Sequence, residues 1–318
     1  MNPWLMGLLA AAVSAVAGAS ASSWWSPDAD GRAVSGALTS EPEAAPAESG
    51  ARAPNSTDTR APADEVVHPL AALDDDEIGA LVQRDPSALG SVSLGAPNRG
   101  ILFNAVEFPD SPLWKRADPT HSWGTRESVE FLEFAIKRVN ETFEGTPTLY
   151  VGDFSARRGG RLRPHKSHQS GRDVDIGYYY SGEAVWYQRA DARNLDRART
   201  WILLKTLITQ TPVEYVFMDK RLQALLEEYA LAHGEDPEWL SQVFGGASKD
   251  GDPIVRHRWG HATHFHVRFE NPTAELTGRR SYAWLAQAGL LPGHNQKKRR
   301  RAAPHPFATS SRGSAALE

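Results

Sequence analysis

Two short windows hold five of the eleven histidines in this 318-residue chain, and their spacing constrains the fold more than any other feature. Towards the C-terminus, Phe265, Val267 and Phe269 alternate with His264, His266 and Arg268, the pattern of a half-buried strand. In the earlier window, Val174, Ile176 and Tyr178 alternate with Asp173, Asp175 and Gly177, so a second strand presents one apolar and one acidic face. His264 and His266 share a face about 6.5–7 Å apart, which lets one bind a metal while its neighbour addresses a water or a substrate oxygen. His168 lies in the loop that enters the acidic strand, where Pro164, Ser170 and Gly171 favour a turn that returns it over Asp175. If the two strands are sheet neighbours, His168, Asp175 and His266 converge as two imidazoles and one carboxylate. Water would then take the fourth tetrahedral position, as in a catalytic zinc site.

A single strand histidine is ordinarily a hydrogen-bonded core or surface residue; two such windows together reverse that expectation. His257, His233, His121 and His68 keep the structural reading, and Asp173 reads as a supporting carboxylate rather than a ligand. With no cysteine in the chain, thiolate sites, disulfides and cysteine nucleophiles are excluded, and any metal must use histidine and carboxylate. No Gly-x-Ser-x-Gly elbow and no phosphate-cradling glycine loop occurs. The net charge of −4 is spread over interspersed signs, which gives no support to nucleic-acid binding.

Residues Met1 to Ala21 form an apolar, small-residue run ending Ala19-Ser20-Ala21, and are expected to be a signal peptide that exports the chain, to the periplasm or beyond the membrane. Residues 22–72, rich in Ala, Pro, Ser, Asp and Glu, read as a disordered linker. Residues 293–318, which carry the run Gln296-Lys297-Lys298-Arg299-Arg300-Arg301 near their start, read as a disordered basic tail. No stretch is long and apolar enough for a transmembrane protein. Between them, residues 73–292 are expected to form one catalytic domain. Asp74 to Glu77 precede Ile78, Leu81 and Val82 as a short helix, and Thr125 caps a longer one through Val129, Leu132, Ile136, Val139 and Phe143. Thr148–Val151 and Val213–Met218 read as strands; Trp201–Ile208 and the stretch through Leu222, Leu225, Leu226 and Tyr229 read as helices. The order is mixed, which predicts an α+β fold with a mostly antiparallel central sheet and peripheral helices.

Ser167-His168-x-x-Gly171-x-x-x-Asp175 with His264-x-His266 resembles the metal motif of the lysostaphin, D-Ala-D-Ala-peptidase and hedgehog-type zinc domains. More specifically, Gly152-Asp153-Phe154-Ser155, Gly159-Gly160, His165-x-x-His168-Gln169-x-Gly171-x-Asp173-x-Asp175 and Trp259-Gly260-His261-x-x-His264-x-His266-Val267-Arg268 resemble the penicillin-insensitive murein endopeptidases. With Gly90-Ser91-x-x-Leu94-Gly95, the likeness runs over roughly residues 85–275. It implies His168, Asp175 and His266 as ligands of Zn2+, and hydrolysis of the D-alanyl–diaminopimelyl cross-link of peptidoglycan by a metal-activated water. His264 is the candidate for polarising the water or stabilising the oxyanion, with His261 sharing or replacing that role. His165 is either a further metal ligand or a substrate-positioning residue. Two other readings are a D,D- or L,D-carboxypeptidase of the same zinc group, and a zinc-containing peptidoglycan-binding module that does not cut.

Overall fold

The computed structural model describes residues 70–292, apart from residues 71, 184 and 246–251. The expected signal peptide, nearly all of the expected linker and the basic tail lie outside the described residues. Leu70 is buried, and Arg280 donates hydrogen bonds to the carbonyls of Leu70 and Leu73.

The first helix, α1 (Asp75–Arg84), begins where acids precede an apolar repeat. Asp74 and Glu77 close a reciprocal capping box, while Ile78 and Val82 are buried. A hairpin, β1 (Val92–Ala96) and β2 (Arg99–Phe103), follows, then the short strands β3 (Val106–Glu107), β4 (Trp114–Arg116) and β5 (Trp123–Gly124). Thr125 caps α2 (Arg126–Thr142) by accepting from the Ser128 N–H, and Val129, Leu132, Ile136 and Val139 are its buried stripe. After β6 (Leu149–Val151) and β7 (Asp173–Gly177) come α3 (Arg197–Gln210), β8 (Val213–Met218), α4 (Lys220–Ala232), α5 (Pro237–Phe244), β9 (Val255–His257), β10 (His264–Phe269) and α6 (Pro272–Gln287).

Six strands form the central sheet in the order β4-β6-β7-β10-β8-β9. Its three inner pairings are antiparallel, and the two outermost are parallel. The fold is therefore α+β with a mostly antiparallel sheet. Val174, Ile176, Phe265 and Val267 enter the main core with Val216 and Met218, under the apolar stripes of α2, α3 and α4. Each such side chain contributes about 1.5–3 kcal/mol by leaving water. A second cluster joins Ile78 and Val82 of α1 to Val92 and Leu94 of β1 and Leu285 of α6. Among the described residues no helix is long and apolar enough to cross a membrane.

Helix α6 approaches β1 through small residues, Ala274, Thr277, Gly278 and Ser281. A Cβ on Gly278 would lie 2.2 Å from the Ser93 carbonyl oxygen, nearer than any real contact. Gly278→Val must push α6 off the hairpin, and we expect it to destabilise the protein by about 1–3 kcal/mol. Urea unfolding of the full chain measures this; an unchanged midpoint would refute the close approach.

Candidate metal centre

The site is built by the pairing of β7 with β10. Their register sets Asp175 opposite His266 and Asp173 opposite Arg268. Because side chains alternate across a sheet, the same register that seats Val174, Ile176, Phe265 and Val267 in the core lines up Asp173, Asp175, His264, His266 and Arg268 on the other face. On β8, Phe217 stands beside His266, and the two rings stack with centroids 5.7 Å apart.

His168 joins this row from the loop before β7. Its backbone is in the left-handed region, at φ 64°, a conformation costing roughly 1–3 kcal/mol outside glycine unless its surroundings hold it. Two hydrogen bonds do so. The His168 N–H donates to Asp173 Oδ2 at 2.8 Å, and ring Nδ1 lies 2.7 Å from the Phe154 carbonyl oxygen. A carbonyl only accepts, so Nδ1 carries the proton and Nε2 presents a lone pair. The turn behind it needs Gly171, at φ 75°, where a Cβ would lie 2.9 Å from the Thr125 nitrogen.

Nε2 of His168 lies 3.0 Å from Nδ1 of His266 and 3.4 Å from Oδ1 of Asp175, and the latter two atoms are 3.0 Å apart. Tetrahedral zinc with bonds of about 2.0–2.1 Å requires ligand atoms about 3.3–3.4 Å apart, so the three donors fit such an ion in both chemistry and spacing. His165, His168 and Asp175 also offer donor atoms within 4.8 Å of one another. Nδ1 of His165 is 3.6 Å from Asp175 Oδ2, while its Nε2 is 2.9 Å from Asp153 Oδ2. Asp153 thus turns the other nitrogen of His165 towards the cluster.

Asp173 supports the group from behind. It lies 3.2 Å from His266 Nε2, accepts from Arg268 Nε at 2.7 Å, and takes the His168 N–H. Burial alone would raise its carboxyl, but the hydrogen bond from His266 and the charges of His266, His168 and Arg268 hold it well below the usual carboxylate range. Asp175 is likewise held well below that range: burial opposes, and His168, His266 and His264 prevail. His266, against burial, is pushed up to about 9 by its hydrogen bonds to Asp173 and Asp175. Two buried, ionised carboxylates beside the His168 and His266 rings make a cluster that attracts a cation.

The cluster floors a cleft of about 460 Å³ that also takes in Lys166, Tyr187, Phe217, Arg258, Trp259, His261 and His264. His264 stacks on Tyr187, with its Nδ1 3.0 Å from Thr263 Oγ1 and its Nε2 3.7 Å from Asp175 Oδ2. Nδ1 of His261 lies 3.2 Å from the Trp259 carbonyl oxygen, which leaves Nε2 as an acceptor. Burial, then the neighbouring His264 and His266, lower His261 to about 4, and burial also lowers His264. Both rings are neutral near pH 7. Tyr187, like His168, has positive φ (68°).

All six residues singled out from the sequence, His165, His168, Asp175, His261, His264 and His266, therefore meet in one cleft. His257 accepts the Lys220 N–H at the start of α4, and His233 ends that helix stacked on Tyr229. His68 lies outside the described residues. His121 is nearer than its sequence position suggests: its Nδ1 is 3.2 Å from Asp118 Oδ2 and 3.4 Å from Asp153 Oδ1, one carboxylate away from His165. Asp153 entered the sequence reading only within a motif, and the wall residues Tyr187 and Phe217 were not singled out. Alternation on the expected strand Val213–Met218 would have put Phe217 opposite the core; Tyr187 sits in a loop without a pattern.

The family model for penicillin-insensitive murein endopeptidases matches residues 93–290, a stretch that contains both histidine windows. A protein of Haemophilus influenzae named penicillin-insensitive murein endopeptidase is 27% identical over 259 residues, covering 70% of this chain and 82% of the relative. Proteins of the same name from Klebsiella pneumoniae and Escherichia coli are 27% and 26% identical over 203 residues, covering 58% of this chain and 68% of each relative.

Asp173 is fully buried and holds the Arg268 side chain, which is itself only 13% exposed. Asp173→Ala should cost about 3–5 kcal/mol, because it leaves that guanidinium without its counter-charge. Replacing both as Asp173→Ala with Arg268→Leu should cost less than the single change. Chemical denaturation of the variants tests this, and an additive pair would contradict it.

Proposed function

The chain belongs to the penicillin-insensitive murein endopeptidase family, and from that membership we propose that it is a zinc peptidase hydrolysing the D-alanyl–diaminopimelyl cross-links of peptidoglycan. The observation that carries the proposal is the convergence of His168 Nε2, Asp175 Oδ1 and His266 Nδ1, separated by 3.0–3.4 Å, at the floor of an open cleft. Those three residues would hold the ion, with His165 as a fourth protein donor or a substrate contact. Two imidazoles and a carboxylate favour Zn2+ over the hard, all-oxygen cations. When bound, the ion supplies Lewis acidity, polarising the scissile carbonyl and lowering the pKa of water to about 7.

The remaining work falls to the chain's own side chains. His261, its Nδ1 proton committed to the Trp259 carbonyl, offers Nε2 to take a proton from the attacking water and to return it to the departing amine. For His264, a Thr263 hydroxyl donating to Nδ1 places the proton on Nε2, where Asp175 favours it. There it can donate to the oxyanion that forms at the scissile carbonyl. Phe217 and Tyr187 hold the His266 and His264 rings by stacking. Arg268 and Asp173 fix His266 in its orientation. A substrate in the cell wall places the protein outside the cytoplasm, which accords with the leader-like residues Met1–Ala21.

Incubating the full chain with cross-linked muropeptide dimers, with and without a chelator, and resolving products by mass spectrometry tests the proposal. We expect chelator-sensitive conversion of dimers to monomers, and none with His266→Ala. Loss of a terminal alanine from stems with dimers intact would instead identify a carboxypeptidase, and zinc binding without cleavage a binding module. His261→Ala should lower kcat by about 10²–10⁴-fold with metal content unchanged; parallel loss of bound metal would move His261 from proton transfer to ligation.

A further inference from the structure

Among the residues that line the cleft, Lys166 and Arg258 are the two permanent cations, and among the described residues neither makes an ion pair. Other arginines around the domain are paired: Arg116, Arg172, Arg199, Arg221 and Arg268 each meet a carboxylate within 3 Å. Arg258 is also the better fixed of the two. Its backbone N–H donates to the Met218 carbonyl at 3.2 Å, and its guanidinium lies 4.8 Å from the centroid of the Phe217 ring. Phe217 in turn stacks on His266. A cation is thus held above the metal-binding cluster by one intervening ring, its hydrogen-bond donors committed to no carboxylate.

We propose that Arg258 recognises a free carboxylate adjacent to the scissile bond, making the preferred substrate an acidic peptide; this rests on the peptidase reading above. A guanidinium offers two parallel N–H groups that match the two oxygens of a carboxylate, and charge-assisted pairs of this kind are short and orienting. Extended peptide advances about 3.3–3.6 Å per residue. Resting on Phe217, which itself stacks on His266, the guanidinium would meet substrate groups within two or three residues of a bond held over the cluster. In a D-alanyl–diaminopimelyl cross-link, the carbon bearing the scissile nitrogen carries such a carboxylate. Beside Arg258, the indole of Trp259 is 76% exposed and offers an apolar wall for the same side of the substrate. Recognition here would act on substrate binding rather than on proton transfer, since Arg258 touches Phe217 and not the proton-carrying nitrogens of His261 and His264.

The test compares the full-length wild type, Arg258→Gln and Arg258→Lys on two dimers, one with the free carboxylate at that position and one with its carboxamide. The wild type should favour the acid. Arg258→Gln should raise KM on the acid by about 10-fold or more with kcat, zinc content and thermal midpoint little changed, and should leave the amide's kinetics unaltered. Arg258→Lys should recover part of the loss, since it keeps the charge without the fork. Equal cleavage of acid and amide by the wild type, or equal loss on both in Arg258→Gln, would overturn the assignment while leaving the peptidase intact. Failure of the wild type on both dimers would sink the peptidase reading and the assignment with it.

Discussion

The antiparallel pairing of β7 with β10 is the constraint on which the rest depends. A slip of one residue would exchange the two faces of a strand. It would drive His264, His266 and Arg268 among the Val, Ile and Phe side chains of the main core. Burying unpaired charge costs several kcal/mol per ion, so the apolar row and the polar row fix each other's register. The pairing of Asp175 with His266 and of Asp173 with Arg268 is thus both what the fold requires and what assembles the site.

Asp173 connects these two roles. It reaches no cleft, yet it holds the His168 backbone, the far nitrogen of His266 and the Arg268 guanidinium at once. The first contact stabilises a histidine in a left-handed conformation; the second sets which nitrogen His266 shows to its neighbours. A carboxylate behind a metal-binding histidine fixes tautomer and ring orientation, and here one carboxylate serves two histidines that arrive from different parts of the chain. Asp153 does the same for His165.

Much of this was legible in the sequence because it is written in strict alternation. Period-two patterns located β7 and β10, a turn-forming Ser170-Gly171 placed His168, and acid-led or Thr-led apolar repeats marked α1 and α2. What escaped has physical reasons. Helix α6 packs through Ala274, Thr277, Gly278 and Ser281, whose small side chains carry no hydrophobic period, although Asn271-Pro272 marks its start. The strands β3, β4, β5 and β9 are only two or three residues long, too short for a pattern. The nearness of His121 to Asp153 depends on two loops meeting through the bridge between Ser122 and Ser155, and Tyr187 reaches the cleft through a backbone conformation that no residue preference announces. Local order was readable; loop-to-loop contact was not.

In the proposed function, His168, Asp175 and His266 together hold one zinc ion. X-ray absorption at the zinc edge of the purified full chain tests it most directly. The account predicts one zinc per chain in a four-coordinate shell of nitrogen and oxygen at about 2.0–2.1 Å, with imidazole scattering that diminishes in His168→Ala and in His266→Ala. A chain that retains no zinc, or one whose zinc shell is unchanged by both substitutions, would contradict it.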